Sequence, residues 1–496
     1  DCKYGYRLFD GALSCTLTRC RLTANQASQG GGARDSTLLG CTLRGNHASS
    51  EGGATHYCTL RGCAVGGNSA GGAGGGVFGG SIQSCTVIGN DAATAGGMAE
   101  GNACNSIVRD NRAAVSANAG NVQFAYSCTT PLPDGPGNFD ADPRLADAAH
   151  LSAASPCRGA GNAACAADAD IDGEPWQTPP SVGCYEYEPG ATGGLAVAIR
   201  ADFTNVAPGF AVDLQADIEG HATAHHWSFG DGQSDDNRLF TAHAWAAAGE
   251  YPVVLTAFNA DIPGGVSATV RVSVVDAPVR YVKSGNPSAA PPYANWASAA
   301  ATIQDAVDLC TVAGSLVLVT NGVYASGGLA VDGFSNRLVI AHAVAVRSVN
   351  GPGATVIAGS GPSGRYTGTR CAHLGPRAML CGFTLTNGHT DTAGTVLGGG
   401  AFCGRGAMVS NCIIRGNHSV GGGGGVYGGM IERCEISGNS TDGTRGGGAL
   451  NAVLRNCLLR DNIAAYAGGG VAWVEAEACT IVANTAPSYA GGAEQS

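Results

Sequence analysis

The phrases CIIRGN at 412–417, CEISGN at 434–439, CLLRDN at 457–462 and CTIVAN at 479–484 spell one pattern four times, in steps of 22, 23 and 22 residues. A period of this size marks a solenoid, because one repeat is too small to bury its own apolar face and must stack on the next. Between the phrases run the glycine clusters GGGGGVYGG, RGGGALNA and AGGGVAWV. Each phrase reads apolar (Val409, Ile431, Leu454, Ala476), two residues, Cys, any residue, Ile or Leu, two residues, Asn. Period-two alternation bounded by Gly and Asn is strand chemistry, and about three short strands fit in one period. The object expected is a parallel β-helix, with like residues of successive coils stacked at ~4.8 Å. Asn417, Asn439, Asn462 and Asn484 then form a corner ladder, since Asn tolerates sharp corners and its amide can bond along a column.

The column Cys412, Cys434, Cys457 and Cys479 needs a separate decision. In-register side chains point the same way, which leaves their Cβ atoms near 4.8 Å apart, beyond the ~3.5 to 4.5 Å of a disulfide. The cysteines are therefore read as buried thiols packing as small hydrophobes, and the absence of a CxxC pair speaks against redox or metal chemistry.

The same phrase opens the chain: CRLTAN, CTLRGN, CAVGGN and CTVIGN begin at Cys20, Cys41, Cys63 and Cys85, followed by SIVRDN at Ser106. Its Asn column is Asn25, Asn46, Asn68, Asn90 and Asn111. The period fades after 128, in a turn-rich stretch holding Cys128, Cys157, Cys165 and Cys184 that reads as closing coils and a cap. Off-column cysteines there leave local disulfides and free thiols both open.

With 496 residues there is room for two to four domains, and 79 glycines with 13% charged residues suit tight coils with many corners. A net charge of −11 excludes nucleic acid as a partner. No apolar run is long enough to span a membrane. The expected division is a first β-helix with cap over 1–190, a small antiparallel β-sandwich over 191–277, and a second β-helix over 278–496. This second helix is led by an amphipathic helix, TIQDAVDLC, with Ile303, Ala306, Val307 and Cys310 on one face. Cys371 and Cys403 are the pair expected to bridge there. The sequence carries no initiating Met, signal peptide or sorting tail, so it is expected to be cut from something longer. Coils exposed at both ends would continue into further repeats, as one unit of a giant tandem protein, or meet end to end in a fibre.

Four resemblances attach to these residues. HHWSFGDG followed by HAWAAAGEYPVVL resembles the polycystic-kidney-disease-type (PKD) domain through Trp227, Phe229, Gly230, Asp231, Gly232, His243, Trp245, Gly249 and Tyr251. It implies an immunoglobulin-like sandwich used as an extracellular spacer or binding module, with Trp227 and Tyr251 as core anchors and Gly230-Asp231-Gly232 as a tight turn. The opening of the third segment resembles the pectin-lyase-like superfamily, which implies a right-handed β-helix. The repeat phrases resemble those of polymorphic outer-membrane adhesins, and the alternation of β-helix with PKD sandwich resembles very large repetitive surface proteins of environmental bacteria. These imply an extracellular or cell-surface bacterial protein with an adhesive or scaffolding role, with glycans or other cell surfaces as partners.

Because the pectin-lyase-like fold also hosts polysaccharide lyases and hydrolases, the alternative is a carbohydrate-active enzyme or binder using the outer face. The candidate acids are Glu432 and Glu477, two coils apart at ~9.6 Å. Arg455 in the same column favours a structural ladder instead, so no catalytic residue is assigned. DADIDG, with Asp168, Asp170 and Asp172, opens like a calcium loop but has Pro179 where the twelfth-position Glu belongs, so a structural Ca²⁺ is the lesser reading beside an Asp-rich turn. His221 and His225 are four apart in a strand-like context, where they would not face one another, and no third ligand is evident.

Overall fold

The structure is a computed structural model and describes residues 11–331, 333–361, 368–390, 397–443 and 445–494. Almost every element is a β-strand, and chain contacts divide it into two units. The first holds the opening solenoid, its cap and most of the sandwich; the second runs mainly from Val274 onward.

In the first unit, strands of successive coils pair in parallel. Thr55–Arg61, Val77–Gln83, Met98–Cys104 and Ala119–Ala125 line one face, while Arg21–Thr23, Thr42–Arg44, Ala64–Gly66, Thr86–Ile88 and Ile107–Arg109 line another. Leu43 pairs with Val65 and Val65 with Val87, so the apolar column stacks in register inside the coil. Each such side chain, removed from water, contributes roughly 1.5–3 kcal/mol.

The corners explain the repeated phrase. The residue before each ladder Asn is left-handed in every coil: Ala24, Gly45, Gly67, Gly89, Asp110, Gly416, Gly438, Asp461 and Ala483 have φ between 52° and 66°. The Asn that follows turns inward and bonds along the stack. Asn46 Nδ2 donates to Asn68 Oδ1 at 2.9 Å and to the Leu22 carbonyl at 2.9 Å, and Asn46 N donates to the same Asn68 oxygen at 2.9 Å. The pattern repeats from Asn25 to Asn111, where the next acceptor is Asn118, and from Asn417 to Asn484. Buried amides are thereby satisfied.

The cysteine column does more than fill space. Arg19, Gly40, Gly62, Ser84, Asn411, Arg433, Asn456 and Ala478, each just before a column cysteine, are also left-handed. The thiol donates to the carbonyl two residues back, as in Cys434 to Glu432 at 3.3 Å, and accepts a backbone N–H from the preceding coil, as in Cys412 N to Cys434 Sγ at 3.4 Å. Ser106 and Ser127 occupy the same position in the first solenoid and make the same pair of bonds. Cys41, Cys63, Cys85, Cys412, Cys434 and Cys457 are buried free thiols, whereas Cys20 and Cys479 at the outer coils are partly exposed.

Beyond Cys128 the chain folds over the solenoid, and one disulfide ties the layers: Cys104, at the end of a coil strand, to Cys165 in the cap, with a Cα separation of 5.8 Å. Cys128, Cys157 and Cys184 are free and buried.

The sandwich has Ala196–Ala201, Val212–Glu219 and Phe240–His243 in one antiparallel sheet, and Ala224–Ser228, Ser234–Asp236, Gly249–Phe258 and Val266–Val274 in the other. Trp227 (0% exposed) and Trp245 (1%) fill its core. Trp245, and not Tyr251, is the second anchor: its Nε1 donates to the Phe229 carbonyl at 2.9 Å, and the half-buried Tyr251 stacks on its ring. Asp231 sits between Gly230 and Gly232, both at positive φ, and bonds Gln233 N at 3.0 Å and His243 Nε2 at 2.8 Å.

In the second unit a short helix, Ile303–Val307, starts at the cap Thr302 and buries Ile303, Ala306 and Val307 against the first coil. Gln304 pairs with the strand backbone like an added strand residue, donating to Val339 O at 3.0 Å and accepting from Val339 N at 2.8 Å. A regular coil has four strands where about three were expected: Met430–Glu432, Glu435–Ser437, Ser440–Thr441 and Ala449–Leu450. The extra one is the two-residue strand just after the Asn corner, too short to show a period in the sequence. The glycine cluster that follows lies against the next coil, and a Cβ on Gly447 would stand 2.4 Å from the carbonyl oxygens of both Gly469 and Ile463.

The expected Cys371–Cys403 bridge is absent, and both thiols are free and buried. Register explains it: Cys403 lies opposite Leu374, three residues along the strand from Cys371. Cys371 donates instead to the Thr386 carbonyl at 3.2 Å.

Candidate functional site

Glu432 and Glu477 stand in one column with Arg455 between them, in register as Glu432↔Arg455↔Glu477. Arg455 pairs with Glu477 at 3.2 Å, and Glu432 pairs with its neighbour Arg433 at 3.4 Å. Both carboxylates are thus held by guanidinium groups on an outer face.

The DADIDG segment is not built as a calcium loop. Asp170 is 3% exposed and its oxygens take three backbone N–H groups: Asp172 at 3.0 Å, Glu174 at 2.8 Å and Glu186 at 3.1 Å. That is the chemistry of a closed Asp turn. Asp168 is exposed, and Asp172 turns its carboxylate toward histidines rather than toward its Asp neighbours.

Those histidines form the one group among the described residues whose donor atoms meet as metal ligands could. His150 from the cap, Asp172 from the Asp turn and His221 from the sandwich have ligand atoms all within 4.8 Å of one another. Asp172 Oδ2 lies 3.3 Å from His150 Nε2 and 3.4 Å from His221 Nδ1. The two imidazoles stack at 3.7 Å, 17° from parallel, and Tyr185 presents its ring to both at steep angles.

Asp147, 3% exposed, sets this geometry from beneath. One of its oxygens takes the backbone N–H groups of Ala149 and His150, its carboxylate lies 2.7 Å from His150 Nδ1, and its other oxygen takes the Ala222 N–H at 2.9 Å, one residue from His221. A single buried carboxylate therefore positions both histidines. Burial disfavours charge on His150, but Asp147 and then Asp172 outweigh it and push its pKa up to about 10. Burial also works against the Asp147 carboxylate, yet the His150 charge holds it below the usual range, and the hydrogen bond from His150 does the same for Asp172. Burial, reinforced by the His150 charge, lowers His221.

His225 does not join His221. It is buried, with Nδ1 2.8 Å from the Ala146 carbonyl. The residues that do meet His221 are His150 and Asp172, with Asp147 behind His150. Neither His150 nor Asp147 has motif spacing to Asp172 or His221, so only the folded cap reveals them.

Residues 196–274 match the PKD domain family, so the sandwich is a PKD domain. No curated protein matches the chain. A solved structure, the family 28 exopolygalacturonase of Yersinia enterocolitica, is similar over 60% of this chain and 79% of that one, at 10% identity and a TM-score of 0.21. Among the described residues no helix is long and apolar enough to cross a membrane.

Proposed function

We propose that this chain is a non-catalytic structural and adhesive segment of an extracellular bacterial surface protein, in which parallel β-helices act as stiff spacers joined by a PKD sandwich. The observation that carries the reading is how the repeated polar residues are used. The Asn and Cys/Ser columns bond from coil to coil, and the acidic column on the outer face is compensated by Arg455 and Arg433. A repeat that directs its recurring polar groups inward builds length and stiffness. The test is incubation of the purified chain with acidic polysaccharides, followed by measurement of new reducing ends and unsaturated products. The reading predicts none; cleavage lost in both Glu432→Gln and Glu477→Gln would overturn it.

A second reading, carbohydrate binding without cleavage, is favoured by one feature of the outer face. His373, Phe402 and Tyr427 occupy one register column and stack at 5.0 and 5.3 Å, half-exposed, with the Arg370 guanidinium 5.4 Å from the Phe402 ring. The rings cover one another's faces and turn their edges outward, so the ladder gives a sugar a flat aromatic strip to lie along. Binding to immobilised glycans that drops in Phe402→Ala and Tyr427→Ala would support it, and equal binding by the variants would dismiss it.

A further inference from the structure

We propose that His150 Nε2, Asp172 Oδ2 and His221 Nδ1 bind a divalent transition ion of the Zn²⁺ class, which clamps the solenoid cap to the sandwich. The distances carry the argument. An ion with tetrahedral bonds of about 2.0–2.1 Å has donor atoms roughly 3.3–3.4 Å apart along its edges. Asp172 Oδ2 stands 3.3 and 3.4 Å from the two histidine nitrogens. The same His150 ring makes a short hydrogen bond on its other side, at 2.7 Å to Asp147. Its Nε2 hydrogen bond to Asp172 is longer, at 3.3 Å, the length of a tetrahedral edge.

The surroundings fit as well. Asp147 fixes the tautomer in which Nδ1 carries hydrogen and Nε2 faces the cluster, which is how a carboxylate orients a metal-binding imidazole. Its hold on Ala222 N positions the second histidine from the same point. Two imidazole nitrogens with one carboxylate suit zinc and its neighbours, whereas calcium takes oxygen ligands. On binding, the ion replaces the proton on His150 Nε2, which leaves to solvent, the Nδ1 hydrogen stays on His150 in its bond to Asp147, and the two rings swing out of their 3.7 Å stack so that each points a nitrogen lone pair at the ion. Asp172 is 42% exposed at its side chain, so water has access to complete the coordination sphere.

Titrating the full chain with Co²⁺ and following its visible absorption tests the site. Expected is a saturable tetrahedral-type band for a single ion, without thiolate charge transfer, reversed by Zn²⁺, and a rise in melting temperature with Zn²⁺. Asp172→Asn and His221→Gln should each abolish the band. Asp147→Asn should weaken binding by about 10–100-fold through misplacement of the rings. His226→Gln, at an exposed histidine paired to Asp236, should leave it unchanged. No saturable band in the unaltered chain, or a band kept in both Asp172→Asn and His221→Gln, would overturn the proposal and leave the cluster as an ion-pair network. Because Asp172 lies at the surface, its Asn variant keeps the test open if a histidine variant fails to fold.

Discussion

Asn439 and Asn462 are joined twice: the backbone N–H and the side-chain amide of Asn439 both donate to Asn462 Oδ1, each at 3.0 Å. Asn439 in turn accepts both donors of Asn417 on its own oxygen and gives its second amide hydrogen to the Ile414 carbonyl at 2.9 Å. Every polar atom of the side chain is thus committed to a neighbouring coil.

Replacing Asn439 by Ala orphans several buried groups in two coils at once. Each stranded donor or acceptor costs about 1–3 kcal/mol, so the variant should lose about 3 kcal/mol or more. Asn484→Ala strands the two donors of Asn462 but has no ladder partner beyond it among the described residues and is half-exposed, so it should lose less, about 2 kcal/mol. Urea midpoints of the two variants check the ranking.

Cys434→Ser should cost under about 1.5 kcal/mol, because Ser106 and Ser127 already make the same two bonds at the equivalent corner. Cys434→Val keeps the volume but removes the acceptor for Cys412 N and should cost more. If Val is tolerated better than Ser, the thiols are mere hydrophobes.

Two glycines nine residues apart in the same coil should respond very differently to Ala. Gly438 has φ +59° with nothing within 4 Å of an added Cβ, and Ala483 already holds the equivalent left-handed site, so Gly438→Ala should cost only about 1–2 kcal/mol. Gly447→Ala drives a methyl into two carbonyl oxygens at 2.4 Å and should prevent the coils from closing. Soluble yield and melting temperature separate the two.

Burial raises the thiol pKa of Cys58 to about 11 and of Cys371 and Cys403 to about 12. An unfolded thiol titrates near ~8.5, so the folded state holds its proton longer. The stabilisation is fully present below ~8.5 and is lost as pH rises toward the folded values. Denaturant midpoints should be flat up to that point and then fall, and a small thiol reagent should leave these three residues unmodified at neutral pH.

The period, the parallel coils and the Asn column were legible because each is written in the spacing of one residue type. The PKD domain was legible from HHWSFGDG, though Trp245 took the core place assigned to Tyr251. What stayed hidden depends on register or on segments far apart. The two-residue strand Ser440–Thr441 is too short to leave a period. Cys371 and Cys403 look equivalent by spacing, and only the pairing of Leu374 with Cys403 shows the offset. Cys104–Cys165 joins residues 61 apart, and the cluster of His150, Asp172 and His221 draws on three segments with no shared motif.

The central claim is that the repeated polar residues are coil-to-coil ladders. It is tested most directly by a double-mutant cycle on Asn439 and Asn462, with Asn439 and Asn68 as the distant control pair. The ladder predicts a coupling of about 1 kcal/mol or more for the adjacent pair and additivity within about 0.5 kcal/mol for the control. Additive losses at Asn439 and Asn462 would contradict it.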